Sequence, residues 1–384
     1  MTERIVQIMN LLNEAQEKWV DTIWDKLCAK LSKTSVDACG KVPYTTIDGI
    51  WNDAQNVLEV NGWTGGFWPG LMWLMYVGTG EECYKKAAEA GEERMDAVFY
   101  EPFILHHDAG FMWRISSAVN YELFGGEKSR KRAYMAALAV AARFNPAGNF
   151  IRAFNSEGTE GRVIIDTLMN LPLLYWASRQ INDPRFKNIA MKHADTVMQT
   201  HLRSDGSVQH IMMFDAETGE IVRRAKGAAA SPDGAWSRGQ GWAIYGFTLS
   251  YIYTGKVEYL DAAKRAANYF ISEVSSNNWL PKTDFRAPSL SCDTTAGAIA
   301  ACGLIEIAKV VPEEEKHLYI TSALNILRAL EENYCDWTDE EQSILQHGVE
   351  SYTEERLKGR SIIYGDYYFA EAIYKLKGFE PLFW

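Results

Sequence analysis

Apolar and polar positions along this chain fall into two alternating textures. Six stretches begin with polar or glycine-rich residues and continue as helices apolar on nearly every face: residues 63–73 (WTGGFWPGLMW), 107–113 (HDAGFMW), 165–176 (IDTLMNLPLLYW), 237–247 (SRGQGWAIYGF), 292–304 (CDTTAGAIAACGL) and 364–373 (YGDYYFAEAI). A helix apolar all round must be buried. Between them lie amphipathic segments with their charges on one face, at 2–31, 82–99, 128–144, 184–202, 256–274 and 312–334. Twelve helices alternating outer and inner pair into six hairpins, which predicts an all-α closed double ring rather than an open solenoid.

Loop lengths predict which end of the ring is active. Inner-to-outer connections are tight turns, such as GTGE from Gly78, FGGEK from Phe124, NDP from Asn182, YTGK from Tyr253 and VVP from Val310. Outer-to-inner connections are long, notably 203–236, 275–291 and 335–363. Binding and catalysis belong at the long-loop end. The N-termini of all six inner helices gather there too, and their unpaired amides and aligned dipoles favour an anionic ligand.

Composition narrows the partners. At 384 residues, with an even repeat and no Pro/Ser/Gly-rich linker, the chain reads as one domain spanning residues 1–384. A net charge of −11 argues against nucleic acid and against broad polyanion binding, while leaving room for a small anion in a locally positive pocket. No apolar run reaches membrane-spanning length, and the opening MTERIVQIMNLLNEAQ reads as an amphipathic helix, so the expected location is the cytoplasm. Cys28, Cys39, Cys83, Cys292, Cys302 and Cys335 show no paired CxxC spacing, which favours buried thiols over disulfides or zinc. A monomer or weak homo-oligomer is expected, with no cofactor and no metal. Aromatic residues make up 12% of the chain, and many, including Trp63, Phe67, Trp68, Phe111, Trp236, Trp242, Tyr364 and Tyr368, fall at inner-helix starts or in long loops. Such rings hold sugars, although they also fill a wide barrel.

Asp108, Asp166, Asp293 and Asp366 stand at or beside the starts of inner helices, where a carboxylate can simply cap the first turn. Two have neighbours that favour chemistry: Asp108 follows His106 and His107, and Asp166 opens a helix that is otherwise largely apolar. Two carboxylates in one cavity can split their pKa values, as an acid/base catalyst requires. Adjacent histidines on a helix diverge by about 100 degrees and chelate poorly, which disfavours a metal at His106 and His107. His193 reads as structural or exposed; His210, in the long loop, is free to reach a ligand. Arg238, between Trp236 and Trp242, suits either carboxylate recognition or a salt bridge to a neighbouring helix cap. No phosphate-loop context and no GxSxG elbow occur.

Together, HHDAGFMW, IDTLMNLPLLYWAS, HADT, DGSVQH followed by FDAETGE, WSRGQGWAIYGF, AGAIAACGLIE and IIYGDYYFAEAIYKL resemble glycoside hydrolase family 88, the unsaturated glucuronyl hydrolases, in the same order from about Trp63 onward. The resemblance implies an (α/α)6 barrel that releases a 4,5-unsaturated uronic acid from the non-reducing end of lyase-generated oligosaccharides, by hydration of the C4=C5 vinyl ether. It places the general acid/base at Asp166 and the second catalytic aspartate at Asp108. It further implies that His107, His210, Trp236, Arg238 and Trp242 line the sugar site, with Trp63 and Tyr364 nearby. The implied partner is a small anionic oligosaccharide.

Three positions depart from the family pattern. Gly227-Ala-Ala-Ala-Ser-Pro stands where a Gln-Gly-Tyr run usually precedes the WxRGQ motif, Phe154 replaces a tryptophan in IRxW, and Thr283-Asp284-Phe285 replaces Trp-Asp-Phe. All three lie around the expected cleft and bear on the leaving sugar. Competing readings are family 105, the unsaturated rhamnogalacturonyl hydrolases; a sugar 2-epimerase, which needs paired histidines; and a non-catalytic helical-repeat binding protein, which needs a polar concave face.

Overall fold

The computed structural model describes residues 8–288, 291–355, 358–380 and 383–384. Its outer helices are α1 (Glu14–Asp37), α3 (Glu82–Met95), α5 (Glu127–Ala141), α7 (Pro184–Thr200), α9 (Val257–Ser275) and α11 (Glu313–Tyr334). The inner helices are α2 (Phe67–Thr79), α4 (Ala109–Trp113, continued by a π-helical turn, Arg114–Ala118, and Val119–Phe124), α6 (Leu171–Ile181, entered through the 3-10 turn Ile165–Asn170), α8 (Ser237–Thr254), α10 (Thr294–Val310) and α12 (Ile363–Leu376). Each inner helix packs on the next, and α12 packs back on α2, so the ring closes as expected.

Local chemistry sets the ends. The inner helices α2, α4, α6 and α8 each stop on a left-handed residue, Gly80, Gly125, Asn182 and Gly255, whose N–H bonds back into the last turn; that accounts for the tight connections at one end. The first helix differs from expectation. The sequence pattern starts it at Thr2, but it begins at Glu14, because Asn13 and Gln16 form a reciprocal capping box (3.0 and 2.8 Å) that fixes the start there, after a 3-10 turn at Ile8–Leu11. Residues 2–7 of that expected helix lie outside the described residues.

Short strands add to the all-α pattern at the long-loop end. They are β1 (Thr46–Ile47) with β2 (Ile50–Trp51), β3 (Phe144–Asn145) with β4 (Phe150–Ile151), and an antiparallel sheet of β5 (Arg162–Ile164), β6 (Ile211–Phe214) and β7 (Ile221–Ala225). The last sheet occupies much of what reads in sequence as loop 203–236, and its register sets Ile164 against Ile211. Residue 165 and residue 210 are thereby bonded, Ile165 N–H to His210 C=O at 3.1 Å, which carries the next side chain, Asp166, toward His210.

Inside the ring, below this end, the bore is filled. Trp384 is wholly buried and stacks on Tyr368 with ring centroids 5.9 Å apart, while Tyr245 donates to Glu371 (2.8 Å) and Lys375 pairs with Glu306 (2.7 Å). These buried charges are matched partner to partner, which is the condition for tolerating them in a low-dielectric core.

Candidate active site

Asp108 and Asp166 do not cap their helices; neither helix start has a side-chain cap. Asp293 does, accepting from Thr295 N–H at 3.2 Å, and Asp366 instead accepts from the backbone of Ile344 and Leu345 (both 2.8 Å), pinning the 343–345 loop. The structural explanation therefore suffices for Asp293 and Asp366 and fails for the other two.

Asp108 sits in a cage of donors. His107 Nε2 lies 3.1 Å from Asp108 Oδ2, and Asn170 Nδ2 donates to Oδ1 at 3.2 Å. Since a carboxylate only accepts, His107 carries its proton on Nε2, and its Nδ1 accepts from Thr167 Oγ1 at 2.7 Å. His106 Nε2 reaches the Asn61 carbonyl (3.1 Å), and its Nδ1 accepts from Asp108 N–H (3.2 Å). Burial opposes ionisation of Asp108, but the attraction and hydrogen bonding of His107, with His106 beside it, outweigh it and hold the carboxyl well below the usual range. Both histidine rings converge on this aspartate instead of diverging, because residues 106 and 107 precede the helix, which starts at Ala109.

Asp166 has the opposite environment. Burial, reinforced by the Asp108 charge, raises its pKa to about 7. Its Oδ2 has no hydrogen-bond partner among the described residues, with His210 Nε2 3.7 Å away and the Trp242 indole approaching short of hydrogen-bond geometry. Asp166 nonetheless keeps 20% of its side chain exposed among neighbours that are almost wholly buried, while Oδ2 itself is sealed from solvent. His210 is neutral near pH 7, pushed down to about 3 by burial and by Arg238, and its Nδ1 accepts from Ala228 N–H (2.9 Å), which leaves the proton on Nε2, facing Asp166.

The remaining expected residues join this pair through contacts. Trp236 lies against His210 (ring centroids 4.3 Å), Arg238 stacks over Trp236 and Tyr364 (4.6 and 5.2 Å), and Trp63 meets Tyr364 at 4.7 Å and Trp242 at 6.3 Å. Phe154 packs edge-on against His107 at 5.2 Å. Arg238 is strongly engaged by the protein: Nη1 donates to Val349 C=O (2.6 Å) and the Tyr364 hydroxyl (2.5 Å), Nη2 donates to Glu350 C=O (3.1 Å), and Asp293 lies at 3.5 Å. Only its buried Nε lacks a partner among the described residues. Because a lysine cannot reproduce that fork, Arg238→Lys is expected to lower folding stability by ~1 to 3 kcal/mol. Urea unfolding measures it; unchanged stability with weakened uronate binding would transfer the fork's role to the ligand.

Asn170 and Thr167 do not stand out in the sequence, although both lie in IDTLMN. Asn170 is wholly buried, donates to Asp108 Oδ1 and to Asp166 C=O (both 3.2 Å), and accepts from Phe111 N–H (2.8 Å), tying the two aspartate-bearing segments together. A signal is present all the same: an amide two residues before a proline, in an otherwise apolar run, has no packing reason to be polar. His193, by contrast, is structural, accepting from Ile151 N–H at 2.9 Å.

The departures at residues 227–232 and 283–285 form one unit. Asp284 accepts from Ala230 and Ala235 N–H (both 2.9 Å), so it anchors the 227–236 loop against the site. Gly227 has φ +57°, and a Cβ there would fall 2.2 Å from His210 Nδ1. Gly227→Ala is therefore expected to displace His210 and to cost ~1 to 3 kcal/mol of stability through backbone strain. A melting curve and a turnover assay on the same sample check this, and an unchanged pair of values would show that the loop relaxes freely.

The model of Glycosyl Hydrolase Family 88 matches residues 35–280. The chain belongs to this family. It is 34% identical over 349 residues to the unsaturated glucuronyl hydrolase of Bacillus sp. (strain GL1), covering 87% of this chain and 92% of that one. It is 32% identical over 340 residues to the unsaturated chondroitin disaccharide hydrolase of Streptococcus pyogenes serotype M1, covering 85% and 84%. Among solved structures it resembles a variant unsaturated glucuronyl hydrolase from Streptococcus agalactiae complexed with dGlcA-GalNAc6S, with TM-score 0.81, 27% identity, and coverage of 96% of this chain and 94% of that one. As a family 88 member the protein is a glycosidase of the unsaturated glucuronyl hydrolase type, and its barrel is the (α/α)6 form expected from the six hairpins.

Proposed function

We propose that the protein hydrates the C4=C5 bond of a terminal unsaturated uronate on a short acidic oligosaccharide, with Asp166 as general acid and base, Asp108 as its ionised partner, and His107, His210, Trp63, Phe154, Trp236, Arg238, Trp242 and Tyr364 around the sugar. The observation that carries this reading is the asymmetry of the two aspartates: one held ionised by histidine and amide donors, the other raised to about 7 with a buried oxygen that has no partner among the described residues.

The steps balance without any cofactor. Asp166 gives its proton to C4, and positive charge develops at C5 and the ring oxygen. Water attacks C5 and returns a proton to the Asp166 carboxylate, restoring the acid. The resulting hemiketal opens, and the former glycosidic oxygen departs with the neighbouring sugar. No carboxylate attacks the anomeric carbon, so the spacing rule for retaining and inverting glycosidases does not govern this site.

Relatives named for unsaturated chondroitin disaccharide, and the complex with dGlcA-GalNAc6S, support a glycosaminoglycan-derived substrate. Among the described residues no helix is long and apolar enough to cross a membrane, and a cytoplasmic location fits short, already cleaved substrates. The test is to mix the protein with unsaturated uronyl disaccharides and follow the ultraviolet absorbance of the conjugated double bond, which hydration destroys. Loss of absorbance is expected, and its pH profile should fall as pH rises through about 7, because the acid form of Asp166 is the active one. Persistent absorbance with every such disaccharide would sink the reading.

A further inference from the structure

Outside the aspartate site, a cleft of about 720 Å³ opens on the barrel rim between the 102–105 segment and the 143–155 hairpin. Its walls combine two kinds of surface. Phe103 is 86% exposed and stands beside Pro102, with Pro146 also lining the cleft: flat apolar faces that have no protein to cover. Arg143 and Arg152 line the same cleft.

The two guanidinium groups are not neutralised by their surroundings. Arg143 spends Nε and Nη1 on the carbonyls of Arg152 (2.7 Å) and Leu105 (3.0 Å) and on Asn155 Oδ1 (2.8 Å), all uncharged acceptors, while its Nη2 is buried with no partner among the described residues. Arg152 keeps 28% of its side chain exposed; its Nη2 donates to Ser156 C=O (3.2 Å) and Thr159 Oγ1 (3.4 Å), its buried Nε is likewise unpartnered, and its one ion-pair carboxylate among the described residues is Glu160, at 3.7 Å and itself half-exposed. Burial and the nearby Arg152 charge pull the Arg143 pKa down to about 10, with Asp108 acting the other way; the pair repel one another. Among the residues lining the cleft two cations face one carboxylate, with the Asp108 charge behind Arg143 offsetting part of the excess, on a chain of net charge −11.

We propose that this cleft is a second binding site, separate from the Asp166 cavity, for an acidic saccharide. A sugar carboxylate or sulfate ester is held by Arg152 over the Arg143 charge, and the ring face lies against Phe103 and Pro102. Arginine is suited to either oxyanion, and the aromatic and proline faces suit the C–H face of a pyranose. The anionic part of the assignment stands on the arginines alone, while the saccharide part rests also on the substrate class read from the active site. The same hairpin turns Phe154 toward His106 and His107 and Arg152 and Asn155 toward the cleft, so saccharide held here stays beside the catalytic mouth.

Calorimetric titration of the Asp166→Asn chain with a saturated tetrasaccharide of alternating uronate and sulfated hexosamine tests this. Two sites per chain are expected. Arg152→Gln should weaken one of them by at least ~10-fold, the scale of a lost charge-assisted pair. Phe103→Ser, a change at an exposed position that the fold does not need, should weaken the same site and leave turnover of the unsaturated disaccharide unchanged in the otherwise unaltered enzyme. Binding indifferent to both substitutions, at one site or two, overturns the proposal. Inorganic sulfate is titrated in parallel: if it binds as tightly as the tetrasaccharide and ignores Phe103→Ser, the saccharide assignment is overturned. The absorbance assay on the unaltered enzyme reads the hydration chemistry separately, so failure of one leaves the other legible.

Discussion

Asp166→Asn is expected to fold normally and to lose ~10² to 10⁴ in turnover, the range for removing a general acid/base. Folding should survive because the carboxylate does not cap its helix and its Oδ2 has no partner among the described residues, so an isosteric amide removes no hydrogen bond seen in the core. Turnover should fall because the amide can neither donate a proton to C4 nor accept one from water. Circular dichroism melting beside the absorbance assay separates the two outcomes. A folded Asp166→Asn variant with near-normal turnover would remove this residue from the mechanism.

Asp108→Asn should act on the pH profile as well as on the rate. Asp108 is ionised, and after burial its charge is the largest influence raising the Asp166 pKa to about 7. Removing that charge makes Asp166 easier to ionise. The sign follows: the falling limb of activity moves to lower pH, by about one pH unit, because the protonated form is lost sooner as pH rises. The rate at pH 7 should then drop more than the rate at pH 5. A variant slower by the same factor at every pH would leave Asp108 as a binding or structural group, a result that a double variant with Asn170→Ala could assign to positioning.

Helix count, order and the alternation of inner and outer layers were legible because helices apolar on all faces leave an unambiguous mark in sequence; residues 237–247, for example, read as buried and open α8 (Ser237–Thr254), whose residues 237–250 are all sealed. The turns were legible from Gly80, Gly125 and Gly255. The sheet of β5, β6 and β7 was not, since IMMF and IVRRA are too short to show a period and sit within a stretch that loop length alone describes. That sheet is what brings residue 210 beside residue 166, so the separation between His210 and Asp166 could not come from local pattern. Asp108 and Asp166 stood out by the chemistry of their neighbours, whereas Asn170 did not, because an amide's importance lies in which distant groups it bridges. For Arg238 the sequence left two roles open, and the structure fills most of its donors with protein acceptors from residues 349, 350 and 364.

The plugged bore has a kinetic consequence. With Trp384, Tyr368 and Tyr245 wholly buried below the helix starts that carry the aspartates, the ring is plugged at depth and a ligand of the aspartates enters from the long-loop end. Reactant and products share one doorway. For the reaction proposed here, the unsaturated ring must go in first and lies deepest, so only a chain terminus can react and the interior of a polymer cannot. The leaving sugar, nearer the mouth, departs first, and the opened uronate follows. Release is thus ordered by geometry, and the uronate product, last to leave, is the one that competes with fresh substrate.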